Sequence, residues 1–398
     1  MLSRSDAGSG MSQSAISRPT GMLIMIGYEI DIGFAIGRLV TVFHEMALRL
    51  TGDERRVHFS FARIGAARSN VLPAGFGNLL EFDTRKPTPE AVERLTKYLR
   101  EHAIDCVFAL DLSVNADYLS AVRQAGVRSV VSYWGAPMSS LNSGLKLLLK
   151  RLEVRWLRRA RPDHFIFESR AMQQFAVEGR GVPAAQTSVI YTGVDAVKFR
   201  PDPAGAALVY QRFNIPPERR IIVYMGHLHQ RKGVHVLMRA AGHLATVLGR
   251  RDVQVLFLGN RGDEVEKFRE DYAAGADYIT FGGYHNDVPA LLSGCYAGCI
   301  PSTGWDSFPM SSLEMQACGL PVIASDWQGV PETIADGESG MVVKTGDARL
   351  LAETIVALVD DPARRQRMAE AARKRIEAAF TRQHQIDNLV QYLRQQGL

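Results

Sequence analysis

The sequence DSFPMSSLEMQACGLPVIAS, at residues 306–325, places two acidic residues near the start of a predicted helix that leads into an apolar strand. Asp306 precedes the helix, and Glu314 follows after seven intervening residues, about one turn inside it. Gly319 ends the predicted helix, and Pro321 prevents its continuation. Free backbone N–H groups at a helix N-terminus bind phosphate, and flanking carboxylates can bind hydroxyl groups of an attached ribose or sugar. This stretch therefore predicts a binding site for a phosphorylated sugar compound.

Apolar strand-like runs alternate with helical patterns almost throughout the chain. The first set lies at residues 22–28, 104–110, 127–133, 163–167 and 187–191. A proline-rich, charged break at 199–203, continuing to 214–220, precedes a second set at residues 220–226, 253–259, 277–283, 297–301 and 321–325. Short apolar strands that alternate with helices are typical of parallel sheets covered on both faces. The sequence therefore predicts an α/β fold with two Rossmann-like, doubly wound domains that face a central cleft.

The chain length of 398 residues exceeds the usual size of a single core, so two domains are expected. We predict a flexible tail over 1–20, a first domain over 21–198, a second domain over 199–380 and a polar surface helix within 381–398. The tail has no apolar core of a secretory signal, and no apolar run is long enough to span a bilayer. A cytoplasmic protein is the resulting expectation.

The distribution of charge argues against a general nucleic-acid-binding protein, and the cysteine spacing argues against a metal site. The net charge of +5 is concentrated at residues 144–161, where seven Lys and Arg residues accompany one Glu, so general nucleic-acid binding is not favoured. None of the four cysteines forms a CxxC pair. We interpret them as buried small apolar residues in a reducing compartment, since the alternative of a metal site lacks further ligands.

A second motif opens the predicted second domain: MGHLHQRKGVHVLMRAA, at residues 225–241. A strand is predicted to end at Gly226, and Lys232 and Gly233 follow where the chain enters a helix. Glycine lets the backbone approach a ligand closely, and the lysine ammonium supplies a point charge for a diphosphate. A solvated loop lysine explains the same pattern, so this motif alone does not decide between the two interpretations.

Taken together, the two motifs resemble retaining glycosyltransferases of the family-4 type, which have the GT-B fold. The stretch at 306–325 is similar to their acid-x7-Glu element, and the stretch at 225–233 is similar to their Gly-Arg-Leu-x-x-x-Lys-Gly element. Further similar segments are HFIFESRAM (164–172), GVDAVKFRP (193–201), TFGGYHNDVPALLSGCYAGCIPS (280–302) and QGVPETI (328–334). The resemblance covers nearly all of the second domain and the later part of the first.

This resemblance implies retaining transfer of a sugar from a nucleoside diphosphate, UDP before GDP, to a hydroxyl of a glycan, a glycolipid or a small molecule. Lys232 matches the phosphate-binding lysine, Glu314 the residue that binds ribose hydroxyls, and Asp306 the residue that binds the transferred sugar. The leaving diphosphate helps to take the proton, so no side-chain nucleophile, metal or other cofactor is expected. The resemblance also implies that the terminal helix crosses back to the first domain.

The implied donor site draws on both motifs and on a first-domain loop that contains Gly27 and Gly33, although a plain turn explains these glycines equally well. In the second motif, Ser307 is a candidate helix cap and Pro309 a first-turn residue. The complete candidate set comprises Gly33, Gly226, His227, Arg231, Lys232, Tyr284, Ser307, Phe308, Pro309, Met310, Ser311, Ser312 and Glu314.

Three positions depart from the family pattern. His227 replaces an arginine, which weakens diphosphate binding unless Arg231 compensates, and Asp306 replaces the commoner glutamate. Trp134 stands where a histidine is frequent; it cannot act as a base, so stacking on an acceptor and core packing both remain open. Asp111, at a strand end, is a second acceptor candidate. The departures keep two alternatives open, a catalytically silent sugar-nucleotide-binding protein and an epimerase on the same scaffold.

The basic stretch at 144–161 has an apolar stripe formed by Leu145, Leu148, Leu149, Leu152 and Trp156. Such a cationic amphipathic helix can lie at an anionic membrane surface, which suits a lipid-linked acceptor. Similar helices in soluble members of the family pack their leucines on the sheet. We expect the packed arrangement, with peripheral membrane contact as the alternative.

Overall fold

This computed structural model describes residues 19–30, 33–65, 71–156 and 161–398. Most of the tail predicted over 1–20 lies outside the described residues, as do 157–160 of the basic stretch and 31–32 of the first-domain loop.

Seven strands form the first sheet: β1 (Met22–Glu29), β2 (Val57–Arg63), β3 (Leu79–Glu81), β4 (Cys106–Leu110), β5 (Ser129–Trp134), β6 (His164–Phe167) and β7 (Thr187–Val189). All neighbours are parallel, in the order β3-β2-β1-β4-β5-β6-β7. The central strands are buried on both faces, as their continuous apolar runs require. The sequence motifs did not predict β2 and β3.

Helices cover both faces of this sheet: α1 (Gly33–Thr51), α2 (Pro89–Glu101), α3 (Leu119–Gln124), α4 (Gly144–Trp156) and α5 (Arg170–Gln174). The apolar side of α1, with Phe43 and Met46, packs on one face of the sheet together with Ile24 of β1. On the opposite face, Leu95 and Leu99 of α2 pack with side chains of β1 and β4.

The second sheet has six strands: β8 (Arg220–Met225), β9 (Val253–Leu258), β10 (Ile279–Gly283), β11 (Ala297–Ile300), β12 (Val322–Ser325) and β13 (Gly340–Val343). They too are parallel, in the order β10-β9-β8-β11-β12-β13. The accompanying helices are α6 (Leu208–Phe213), α7 (Val234–Thr246), α8 (Gly262–Val265), α9 (Arg269–Tyr272), α10 (Val288–Leu292), α11 (Met310–Ala317), α12 (Ala348–Val359), α13 (Pro362–Ala379) and α14 (Arg382–Gln395).

Strand order reverses beside the first strand of each sheet, between β1 and β4 and between β8 and β11. At such a reversal the connections leave in opposite directions, which opens a crevice at the carboxyl ends of the strands. The motifs predicted to bind a nucleotide follow β8 and β11. The predicted fold class, two parallel-sheet α/β domains around a cleft, is confirmed.

The final helix, α14, packs against the first sheet although it follows the second in sequence. Ile386, Leu389 and Leu393 are buried in the same apolar cluster as α1. The segment that leads into α14 passes close to Gly193 of the first domain, since a Cβ on Gly193 would lie 2.3 Å from the carbonyl oxygen of Thr381. Only glycine fits at that position without displacing the backbone.

Glu332 also joins the two domains. Its carboxylate accepts hydrogen bonds from the backbone N–H groups of Arg170 and Ala171, both at 2.9 Å, and from the Tyr191 hydroxyl at 3.0 Å. A carboxylate at the N-terminus of α5 stabilises that helix through its free amides and its dipole. The QGVPETI segment, which contains Glu332, therefore belongs to the interdomain contact.

The leucine stripe of α4 does not pack on the sheet, so this expectation was wrong. The exposed fractions are 72% for Leu145, 52% for Leu148, 57% for Leu149, 44% for Leu152 and 85% for Trp156. The helix contacts its domain through the opposite side, where Val154 is buried. Among the described residues, no helix combines the length and apolar character needed to cross a bilayer.

Candidate active site

Two adjoining cavities lie where the predicted motifs meet. The interdomain cavity, of about 530 Å³, lies between α1 and the second domain and is lined by Arg38, Tyr284, Met310 and Glu314 among others. The lysine cavity, of about 550 Å³, is lined by Lys232, Asp306 and Pro309 among others. Both cavities share Met225, Gly226, His227 and Ser311. Lys232 and Glu314 thus line neighbouring parts of one cleft, on either side of the start of α11.

Lys232 ends a short 3-10 turn over Gln230–Lys232 and is held there by the residue that follows it. Gly233 has φ of +67°, and a Cβ at this position would lie 1.7 Å from the carbonyl oxygen of Pro301. The turn therefore requires glycine for both its backbone conformation and its close approach to the neighbouring strand end. This packing fixes the point from which the Lys232 side chain enters the cavity.

Asp306 is fixed by three neighbours. Its Oδ2 accepts hydrogen bonds from Lys232 Nζ at 2.8 Å and from Ser302 Oγ at 2.7 Å, and its backbone N–H donates to Gln328 Oε1 at 3.1 Å. Asp306 Oδ1 accepts no hydrogen bond from any described residue. The carboxylate can thus offer one oxygen to a sugar hydroxyl, while Lys232 retains further N–H groups for phosphate.

Helix α11 begins at Met310, with Pro309 as its N-cap in an extended conformation. The prediction that Ser307 caps this helix was wrong, as was the placement of Pro309 inside the first turn. The Ser307 hydroxyl instead donates to Glu168 Oε2 at 2.9 Å, across the domain boundary. The N–H groups of Met310 and Ser311 lie at the start of the helix, where its dipole favours an anion.

Two other residues predicted to bind the sugar donor, Phe308 and Ser312, have side chains that are buried in the protein. The Phe308 ring is 2% exposed and packs against Tyr191 and Phe380, with ring centroids 4.9 and 5.9 Å away. Ser312 is buried; its hydroxyl bonds Thr333 Oγ1 at 2.8 Å, and its N–H donates to the Pro309 carbonyl at 3.0 Å. Their side chains support the helix start, and the amides of Met310 and Ser311 are left for a ligand.

Glu314 forms an ion pair across the cleft with Arg38 of α1, through Oε1 and Nη1. Arg38 also lies over the ring of Phe199, with 5.4 Å between the guanidinium carbon and the ring centroid. Burial lowers the pKa of Arg38 to about 10, so it stays protonated at neutral pH. The predicted ribose-binding carboxylate is therefore positioned by a residue of the other domain.

His227 and Arg231 line the lysine cavity in different ways. The His227 side chain is 63% exposed, and its Nδ1 lies 3.3 Å from Glu264 Oε1. Arg231 Nη1 donates to the backbone carbonyl of Trp305 at 2.9 Å, and the guanidinium carbon lies 4.1 Å from the centroid of the Trp305 ring. Arg231 is thus held at the rim by Trp305. Tyr284, 66% exposed, lies at the rim of the interdomain cavity.

Asp111 and Trp134, the acceptor candidates, lie at adjacent strand ends of the first sheet. Asp111 has φ of +53°, accepts hydrogen bonds from Gly135 N–H at 3.1 Å and Tyr28 hydroxyl at 3.3 Å, and has a pKa raised by burial. It lines a third cavity, of about 810 Å³, called here the first-domain cavity. Trp134 donates from Nε1 to the Leu112 carbonyl at 3.1 Å and packs against a small apolar cluster.

The two first-domain glycines do not both lie in a loop. Gly27 is inside β1, where a Cβ would lie 2.5 Å from Thr84 Oγ1, and Gly33 is the first residue of α1. The loop between them includes residues 31–32, which lie outside the described part of the chain.

Three site residues were missed by the motifs. Arg38 is one of two arginines in an amphipathic helix and carries no local signal, and Ser302 lies in the similar segment 280–302 without a role assigned to it. Glu168 follows β6, is buried, and has a pKa raised to about 7 because burial penalises its charged form. Its sequence signals were its place directly after an apolar strand and inside the similar segment HFIFESRAM. No group of three or more His, Cys, Asp or Glu side chains that could hold a metal ion occurs among the described residues.

Two parallel-sheet domains that face a cleft, with a cation and a helix N-terminus in it, have the architecture of the GT-B fold. Two protein-family models match the chain in succession: Glycosyltransferase Family 4 over residues 39–198 and Glycosyl transferases group 1 over residues 210–375. The chain belongs to the glycosyltransferases of this group 1 and family 4 type.

Proteins of known name are similar in sequence to parts of this chain. Alpha-maltose-1-phosphate synthase of Mycobacterium tuberculosis is 31% identical over 213 residues, which is 48% of this chain and 52% of that protein. The GDP-mannose-dependent alpha-(1-6)-phosphatidylinositol monomannoside mannosyltransferase of Mycolicibacterium smegmatis is 27% identical over 296 residues, covering 72% of this chain and 75% of that protein. The chain thus spans about half the length of the first relative.

Solved structures share the arrangement of both domains. HepE of Anabaena, in complex with UDP, has a TM-score of 0.74 and 19% identity, and the match covers 94% of this chain and 99% of that one. A glycosyltransferase from Rickettsia africae has a TM-score of 0.77 and 16% identity, covering 95% and 98%. The likeness confirms the predicted GT-B fold.

Proposed function

We propose that this protein transfers a sugar from a nucleoside diphosphate to an acceptor hydroxyl with retention of configuration. The observation that carries the proposal is the convergence of Lys232, Asp306 and the Met310 and Ser311 amides on adjoining cavities at the strand ends. An ammonium and a helix N-terminus in one cleft suit a diphosphate, and the neighbouring carboxylates suit sugar and ribose hydroxyls.

In the proposed reaction, the acceptor hydroxyl attacks the anomeric carbon on the face from which the diphosphate departs. The bond from that carbon to the phosphate oxygen breaks, the bond to the acceptor oxygen forms, and the acceptor proton passes to the leaving diphosphate. Lys232 and the amides at the start of α11 stabilise the charge that develops on the leaving group. Asp306 Oδ1 orients the sugar, and Glu314 binds the ribose.

We propose that neither a metal ion nor another cofactor takes part, because Lys232 and the helix N-terminus supply the positive charge. Activity that survives a chelator supports this, and activity that returns only on adding a divalent cation contradicts it. We place the acceptor on the first-domain side, at the cavity beside Asp111. A glycan, a lipid-linked acceptor and a small molecule all fit a cavity of about 810 Å³.

We propose UDP as the first donor nucleotide to test and GDP as the alternative. The Anabaena structural neighbour was solved with UDP, whereas the Mycolicibacterium relative is named as GDP-mannose-dependent. The base would bind in the interdomain cavity beside Tyr284 and Asn286. These two nucleotides therefore define the first donor panel.

The proposal is tested by nucleotide release from that donor panel with and without acceptors, followed by determination of the product anomer. Release that requires an acceptor and gives the donor's anomeric configuration supports retaining transfer. Donor conversion without an acceptor would identify an epimerase, and tight donor binding without turnover would identify a silent binding protein. Inversion at the anomeric carbon would contradict the proposed mechanism.

A further inference from the structure

The exposed side of α4 combines an apolar stripe with flanking cations. At about 100° per residue, Leu145, Leu148, Leu149, Leu152 and Trp156 fall within one sector of about 100°. Val154, which is buried against the domain, lies opposite this sector. The stripe thus points away from the protein, and Leu141, just before the helix, is also 49% exposed. A contiguous exposed apolar patch of this kind marks an interaction surface.

Cations border the stripe on both sides. The same helical geometry places Lys146 on one flank and Arg151 and Arg155 on the other. All three are exposed and form no salt bridge with any described residue. Glu153, the one acidic residue of α4, is already engaged by Lys150 at 3.1 Å and by Arg180 at 2.9 Å. The surface therefore carries unneutralised positive charge around an apolar centre.

We propose that this α4 surface docks on an anionic lipid bilayer. The apolar stripe would enter the boundary between headgroups and acyl chains, while Lys146, Arg151 and Arg155 contact lipid phosphates. A second copy of the chain suits the surface less well, because two such helices would bring unneutralised cations against each other. An anionic bilayer complements both the apolar centre and the charged border.

The docking surface adjoins the first-domain cavity, to which the proposed function assigns the acceptor. Asn115 lines that cavity, donates from Nδ2 to Glu153 Oε1 at 3.3 Å, and accepts from Arg180 Nη2 at 3.1 Å through Oδ1. A bilayer under α4 would thus lie beside the cavity. If the proposed function holds, docking would present a lipid-linked acceptor to Asp111 from the membrane side.

Vesicle co-sedimentation of the full chain tests the docking without relying on catalysis. One set of vesicles contains phosphatidylcholine alone, and the other contains phosphatidylcholine mixed with phosphatidylglycerol. We expect binding to the mixed vesicles, weakened by added salt. Substituting K146Q, R151Q and R155Q together should weaken partitioning on the order of a hundredfold. Substituting L145Q, L149Q and L152Q together should abolish it.

Matched variants separate this surface from general effects. K267Q, R367Q and K374Q remove the same charge from exposed positions of the second domain, and V247Q with L350Q removes exposed apolar side chains there. These controls should bind vesicles as the parent chain does, and every variant should retain its melting temperature and nucleotide affinity. Equal losses in the α4 variants and the controls would overturn the proposal. So would concentration-dependent self-association that the leucine variants abolish, with no vesicle binding by the parent.

Discussion

Arg38 of α1 and Glu314 of α11 form an ion pair across the cleft, between side chains that are 23% and 8% exposed. The two residues are 276 positions apart in sequence and belong to different domains. One oxygen of the proposed ribose-binding carboxylate is thus held by the opposite domain before a donor arrives. This contact couples the orientation of Glu314 to the approach of the two domains.

We expect a double-mutant cycle on R38Q and E314Q to give a coupling energy of about 1–3 kcal/mol in urea unfolding, since the pair is largely removed from water. The exposed pair Arg49–Asp387, which joins α1 and α14 at 2.7 Å, is the control. Its side chains are 40% and 47% exposed, so its coupling should stay below about 1 kcal/mol. Equal coupling energies in the two cycles would contradict the expectation that the less exposed Arg38–Glu314 pair is the stronger one.

Replacing Glu314 by alanine should reduce donor turnover by at least about a hundredfold, because ribose hydroxyls lose a charged hydrogen-bond acceptor near the reacting diphosphate. The measurement is nucleotide release at saturating acceptor, accompanied by a thermal melt to confirm folding. Glu370→Ala, at an exposed position of α13, removes a carboxylate elsewhere and should leave turnover unchanged. Unchanged kinetics in Glu314→Ala would remove this residue from the site.

Gly233→Ala tests how the lysine turn is built. The variant carries a strained φ of +67° and a Cβ 1.7 Å from the Pro301 carbonyl oxygen, whereas Gly249 has φ of +65° and open space around it. Gly249→Ala should cost about 1–2 kcal/mol of unfolding free energy, from the backbone conformation alone. Gly233→Ala should cost about 2 kcal/mol more and should weaken diphosphate binding, measured by calorimetry. Equal costs would show that the close approach to Pro301 is unimportant.

Glu168 should make stability depend on pH. Burial raises its pKa from the ordinary 4.5 to about 7, and the nearby Asp111 adds to this, although the Ser307 hydroxyl opposes it. Between these two values the folded protein binds a proton that the unfolded chain has lost. The free energy of unfolding should therefore fall as pH rises through this window, by up to about 3 kcal/mol.

Glu168→Gln should abolish this pH-dependent part of the free energy of unfolding and keep the hydrogen bond from Ser307. Urea unfolding at about pH 5 and about pH 8 measures the free energy of unfolding on either side of the titration. The variant should gain stability over the parent chain at the higher pH. Glu93→Gln, exposed on α2, serves as the control and should follow the parent. A pH profile that Glu168→Gln leaves unaltered would contradict the buried titration.

Local signals in the sequence predicted five of the seven strands of the first sheet and five of the six strands of the second, leaving out β2, β3 and β13. β4 and the first six residues of β1 are apolar because both of their faces are covered, so their pattern identifies them directly. The start of α11 was displaced by a residue because Ser307 has a partner in the other domain, Glu168, which no local rule for helix caps includes. The domain boundaries remain predictions.

Contacts between distant segments were beyond local prediction. Arg38 is an ordinary helical arginine until the second domain brings Glu314 opposite it. The stripe of α4 has the same periodicity whether it packs on a sheet or faces outward, so its burial could not be decided from spacing. Trp134 likewise gains its defined partner, the Leu112 carbonyl, only from the fold.

In the proposed function, Lys232 holds the diphosphate of the donor. Calorimetric titration of Lys232→Ala with UDP, GDP and the corresponding nucleosides tests it most directly, with exposed Lys267→Ala as the control. We expect about 10- to 100-fold weaker binding of the nucleoside diphosphate and unchanged binding of the nucleoside, because only the charged hydrogen bonds are lost. Equal weakening of both ligands, or unchanged binding of the diphosphate, would contradict it.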